Sequence, residues 1–162
     1  MLSESARMSS AGEARYRVQA PNSTPRATKV VALDADSEAV VRRLARGTWE
    51  DATFFTAASH GEADVGALRD LAGHGRSVTD EVDAADLVIL IAGPGGHAQA
   101  ASDIGRACSL RRVMTTGFVI GITSASESEL SKTLAQLRPW SLMVVIASSD
   151  DYIDDMMTAL RA

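Results

Sequence analysis

The chain has 162 residues, a formal net charge of −5, 46 % hydrophobic and 4 % aromatic content, and a single cysteine, Cys108. That length suits one domain with a real core and is short for two, and a lone cysteine excludes an intramolecular disulfide and fits a reducing, cytoplasmic setting. An acidic body offers no electrostatic footprint for nucleic acid, and no apolar run approaches the roughly 20 residues that span a bilayer, so neither nucleic acid nor membrane is expected as a partner.

Residues 1–27 mix Ser, Ala, Gly, Arg and Pro without a sustained period, with four arginines against two glutamates. They read as a flexible leader, and residues 28–162 as the single domain. Lys29 to Leu33 is a short apolar run that stops at Asp34-Ala-Asp36, the pattern of a buried strand ending in a polar turn. Ser37 is placed to cap a helix whose face is Val40, Val41, Leu44 and Ala45 and which ends at Gly47. Ala52 to Thr56 is a second strand, rich in β-formers. Asp64 then caps a short helix carrying Val65, Leu68 and Leu71, stopped at Gly73, with a weak extended piece at Arg76 to Thr79.

Asp86 to Ala92 is the strongest strand and is apolar on both faces, as a central strand between two helix layers must be. Gly93-Pro-Gly-Gly96 turns the chain into a helix from about Ala98 to Leu110. Met114 to Gly121 is the next strand. Ser126 with Glu129 three residues on forms a capping box for a helix carrying Leu130, Leu134 and Leu137, ended by Pro139. Leu142 to Ala147 is the last strand. Asp150 to Leu160 is the closing helix, its early aspartates complementing the helix dipole.

Strands alternating with helices imply right-handed crossovers. The expected fold is therefore α/β, Rossmann-like and doubly wound, with a mostly parallel sheet of five or six strands and helices on both faces. In the common order 3-2-1-4-5-6 the strands at 29–33 and 86–92 are neighbours, and the crevice between their C-terminal ends is where such sheets bind ligands. Asp34, Asp36 and the turn Gly93 to Gly96 with His97 all open onto that crevice. A glycine-rich turn before a helix lets the backbone approach a ligand and points free amides at an anion. The candidate binding residues are thus Gly93, Gly95, Gly96, His97, Asp34 and Asp36, and the ligand class is a small anion, a nucleotide included. The turn is neither Gly-x-Gly-x-x-Gly nor a P-loop, and a tight connection needing positive φ explains the same glycines.

The segment Ala85-Asp-Leu-Val-Ile-Leu-Ile-Ala-Gly-Pro-Gly-Gly96, with Ile104, Thr116 to Ile120 and Leu142 to Ala147, resembles the nucleotide-binding half of the tubulin/FtsZ family over residues 84–153, and more loosely over 28–57. In that family a strand ending Ala-Gly leads into the glycine-rich loop that holds GTP phosphates. Here His97-Ala-Gln-Ala100 stands where the family's loop has threonines and further glycines. The resemblance therefore implies a degenerate, truncated relative that keeps the fold without GTP-driven filament formation.

Two other readings stand beside it. Asp34, Asp36, His60 and His97 come from loops at one rim and form the donor set of a small metal-assisted enzyme, although none of the spacings is that of a dedicated metal motif. The apolar residues of the terminal helix, Met156, Met157, Tyr152 and Ile153, together with Trp49 and Trp140, serve either as core or as the contact of a homo-oligomer. Cys108 reads as a small buried hydrophobe. The sequence favours a non-enzymatic or regulatory binding module over an enzyme.

Overall fold

The computed structural model describes residues 25–57 and 67–162. Its centre is a seven-stranded sheet in the order β4-β3-β2-β1-β5-β6-β7, made of β1 (Thr28–Ala32), β2 (Ala52–Ala57), β3 (Ala67–Asp70), β4 (Gly75–Ser77), β5 (Leu87–Ala92), β6 (Met114–Val119) and β7 (Met143–Ile146). The helices are α1 (Ala35–Leu44), α2 (Val78–Asp83), α3 (Ala101–Arg111), α4 (Glu127–Leu137) and α5 (Asp150–Ala159). The five strands β2, β1, β5, β6 and β7 are mutually parallel, whereas β3 and β4 join antiparallel to the β2 edge. The parallel part has the second-first-third-fourth-fifth order, the other common doubly wound arrangement.

β5 explains why the sheet can be covered on both sides. All six residues are buried, and they divide by parity between two cores. Leu87, Ile89 and Ile91 meet Val40, Val41 and Leu44 of α1 and Ile153 and Met157 of α5. Val88, Leu90 and Ala92 meet Val82 of α2, Ile104 and Cys108 of α3 and Leu134 and Leu137 of α4. Strand periodicity of two feeding two helix layers is the pattern that an uninterrupted apolar run encodes. The helix after β1 and the helix after β5 lie on opposite faces, so the topological switch point falls between these two strands, as expected.

Four expectations need correction. The sheet has seven strands, not five or six, because Leu68 and its neighbours form a strand and not the face of a helix running to Gly73. The reason is local: the Asp70 carboxylate accepts the amides of Ala72 (3.0 Å) and His74 (2.9 Å), and Gly73 adopts φ 90°. Together they fold Asp70 to Gly75 into a hairpin turn, which beats the weak helical period of two leucines. The proposed cap at Asp64 lies outside the described residues. The order is not 3-2-1-4-5-6, since the third strand turns back as this hairpin. The α1 cap is Asp34, with Ser37 as the reciprocal partner in a capping box, and α3 starts at Ala101, after a turn through residues 98–100.

Arg26 and Ala27, at the end of the stretch read as a leader, are already tied to the domain, Arg26 N–H donating to the Arg161 carbonyl (2.9 Å) and Ala27 N–H to the Asp86 carboxylate (3.0 Å). Of the apolar residues of α5, Ile153 and Met157 are fully buried and Met156 packs partly against the same core, whereas Tyr152 is exposed. Trp49 donates its indole N–H to the Leu44 carbonyl (2.7 Å).

Trp140 sits against α3 at Gly105, where an added Cβ would lie 2.4 Å from the Trp140 Cβ. Gly105→Ala should therefore destabilise the domain by roughly 1–3 kcal/mol through overpacking, against the ~1 kcal/mol that alanine normally gains over glycine inside a helix. Urea unfolding measures the difference, and a stabilised variant would contradict this packing. Trp140→Ala should rescue it only in part, because it removes the Cγ and Cδ2 contacts but keeps the Cβ.

Candidate functional site

The switch point is assembled from two loops that a single carboxylate holds together. Asp34 leaves β1 in an extended conformation and caps α1. Its Oδ1 accepts the Ser37 amide (2.9 Å) and hydroxyl (2.7 Å), while its Oδ2 accepts the Gly93 amide (2.8 Å) at the end of β5. Asp36 then packs on Gly93 so closely that a Cβ there would lie 2.8 Å from both the Asp36 Cβ and Oδ2. Gly93 is a glycine because the first turn of α1 occupies the place of its side chain.

The rest of the glycine turn faces α4. Gly95 (φ 114°) donates its amide to the Glu129 carbonyl (3.1 Å), and Gly96 (φ 79°) donates to the Thr133 hydroxyl (3.0 Å). The Ala98 amide donates to Gln136 Oε1 (2.8 Å), and Gln136 Nε2 returns a bond to the Gly96 carbonyl (2.9 Å). Thr133 is completely buried, and its hydroxyl donates in turn to the Gly93 carbonyl (2.9 Å). Four amides that a phosphate cradle would aim at its ligand are thus engaged inside the protein. The left-handed glycines serve to bring the backbone close to a helix, which is a real use of their conformational freedom.

α4 is held in place for this by its capping box, with Ser126 and Glu129 exchanging bonds. The Ser126 amide and hydroxyl keep the Glu129 carboxyl below the usual carboxylate range. The box was legible in the sequence. The roles of Thr133 and Gln136 were not, although two polar residues three apart among leucines are the signal that could have pointed to them.

Beside this closed turn lies an open cleft of about 610 Å³. It runs from the C-terminal ends of β1 and β2 and the first turns of α1, across β3, to His97, Gln99 and Ala100. Its charged lining sets two cations, Arg42 and Arg69, against three carboxylates, Asp34, Glu38 and Asp70. Arg42 is held by Glu38 Oε1 (2.7 Å) and the Leu71 carbonyl (3.1 Å). Donation from the His74 amide, then the other His74 contacts and the Ala72 amide, keep the Asp70 carboxyl below its ordinary range. His97 is exposed, with its ring near the Gly95 backbone. Of the residues read from sequence, Asp34 and His97 line the cleft, Asp36 packs on Gly93, and the three glycines form the neighbouring turn.

Among the described residues no three histidine, cysteine or carboxylate side chains converge as a metal site, and His60 lies outside those residues. No described helix is long and apolar enough to cross a membrane. Cys108 is buried, and that burial pushes its thiol above the ordinary range. A comparison with protein families finds no family model that matches the chain, and a comparison with curated proteins finds no match.

Thr133 supplies the direct test of this turn. Thr133→Val keeps the shape but strands the Gly96 amide and the Gly93 carbonyl in a buried setting, at an expected cost of roughly 1–3 kcal/mol. Thr133→Ser, which keeps the hydroxyl, should recover most of it. Equal stability of the valine and serine variants in denaturant would show that the hydroxyl bridges nothing.

Proposed function

We propose that this domain is a non-enzymatic binding module that holds a nucleotide-sized ligand with an anionic group in the cleft over β1 and β2. His97, Gln99 and Ala100, just after the glycine turn, form a wall of that site, and the turn itself is not its cradle. The observation that carries the reading is the position and size of the cleft: about 610 Å³ at the C-terminal ends of two parallel strands, next to the switch point. Open α/β sheets bind at that edge, and small-molecule sites run to about 300–1,000 Å³.

The lining offers a ligand both donors and acceptors. Arg42, Arg69 and His97 supply cationic or donor groups to an anionic part of the ligand. Glu38 and Asp70 suit hydroxyls or amines on the rest of the ligand. The resemblance to the tubulin/FtsZ nucleotide-binding half supports a nucleotide as the ligand class. Binding is favoured over chemistry because both oxygens of Asp34, the carboxylate nearest the switch point, already accept protein donors.

A thermal-shift screen against GTP, ATP, NAD and FMN, each with and without Mg²⁺, tests this. One of them at about 100 times its dissociation constant should add roughly 2.7 kcal/mol of stability. Ala35 is exposed on the cleft wall, so Ala35→Trp should fill the site and abolish the shift while leaving the free protein folded. A shift that survives Ala35→Trp would move the ligand elsewhere, a shift with Mg²⁺ alone would favour the metal-assisted reading, and no shift at all would contradict the proposal.

A further inference from the structure

A second concavity lies at the opposite end of the sheet from the cleft, where β6 begins and the chain enters β7. Its volume is about 310 Å³. The last turns of α3 give it Gly105 and Ser109, and the one-turn 3-10 helix Arg138–Trp140 gives it Pro139 and Trp140. Because Gly105 has no side chain, Trp140 lies directly on α3. Val113 and Leu142 add apolar surface, and Leu142 stays 79 % exposed.

Two polar features break this apolar lining. Arg112, which ends α3 in the left-handed conformation (φ 57°), is the sole charged residue among those described on its walls. Arg112 is exposed, and among the described residues no carboxylate pairs with it, whereas the adjacent Arg111 binds Asp83. The second feature is Ser141, whose hydroxyl is buried without a hydrogen-bond partner among the described residues. The hydroxyl of Thr115, also buried in this wall, is already engaged with the Cys108 thiol. A buried polar group left unsatisfied costs free energy until something supplies its partner.

We propose that this pocket binds a small monocarboxylic acid with an apolar body, its carboxylate on Arg112 and its hydrocarbon against Trp140 and Leu142. The charge of the walls selects the ligand's sign: one unpaired cation and no carboxylate favour an anion of single charge. A guanidinium meets a carboxylate through two parallel N–H donors, a match of geometry as well as charge. The volume selects the size. It lies at the small end of ligand sites, which suits a phenyl ring or short alkyl chain, on the order of ten non-hydrogen atoms in all. Covering Leu142 and Trp140 with hydrocarbon supplies an attraction that a free inorganic anion lacks. An acceptor on the ligand also gives the Ser141 hydroxyl the partner that the protein withholds. Neither site depends on the other, since the cleft lies at the far end of the strands and is lined by three carboxylates.

NMR titration of the full-length chain with phenylacetate to roughly 10 mM, the affinity range of so small a ligand, tests this. The amides from Ser109 to Thr115 and the Trp140 indole N–H should shift saturably, while those of His97 and Ala100 in the cleft stay still. Phenylacetamide, the same body without the charge, should bind at least about tenfold more weakly, as should phenylacetate on Arg112→Gln. Ser109 is exposed and lines the pocket, so Ser109→Trp should block it and abolish the shifts while the free protein stays folded. Four results would each overturn the proposal: no saturable shift, shifts centred on the cleft, wild-type affinity for phenylacetate in Arg112→Gln, or phenylacetamide or inorganic phosphate binding as tightly as phenylacetate.

Discussion

The hydrogen bonds of the Asp34 carboxylate are the constraint on which the rest of this edge depends. One oxygen fixes the start of α1 through Ser37, and the other fixes the end of β5 through the Gly93 amide. A charge-assisted bond of this kind is stronger than one between neutral groups, and here it joins two strands at the point where the winding of the sheet reverses. Once Asp34 is committed in this way, the first turn of α1 comes to lie on Gly93, and no side chain larger than hydrogen fits there. The crevice that doubly wound sheets usually leave open is closed at its centre.

The closure is completed from the opposite layer. Thr133 and Gln136 reach across from α4 and take up the polar groups of residues 93–98 that the left-handed glycines leave without strand or helix partners. Buried backbone groups must find partners, and a helix with two well-placed polar residues supplies them as well as a bound anion would. Glycine-rich turns after a central strand therefore have two physically distinct uses, and the destination of the amides separates them. In this domain the amides point inward, so the space open to a ligand is the adjacent cleft, with His97 and Ala100 on its wall.

The parts of the fold legible in the sequence were those set by local physics. The apolar run of β5, the Ser126 and Glu129 capping box, and the acidic start of α5 each stand on short-range rules, and each occurs as expected. The β3–β4 hairpin was missed because Leu68 and Leu71 imitate a helical face, while the deciding groups, the Asp70 carboxylate and the two glycines around His74, act through a turn. At the site, the residues around the switch point could be named, but not their bonding. The Asp34 to Gly93 bond spans 59 positions and the Thr133 bonds span 37 and 40, distances over which a single sequence carries no periodic signal.

The central claim is that the glycine turn is closed from within, and amide hydrogen exchange followed by NMR tests it most directly. The Gly93, Gly96 and Ala98 amides should exchange slowly in the ligand-free protein, through openings approaching the global unfolding free energy. Exchange at these three amides as fast as in an open surface loop would contradict the account and return the turn to the role of an empty anion cradle.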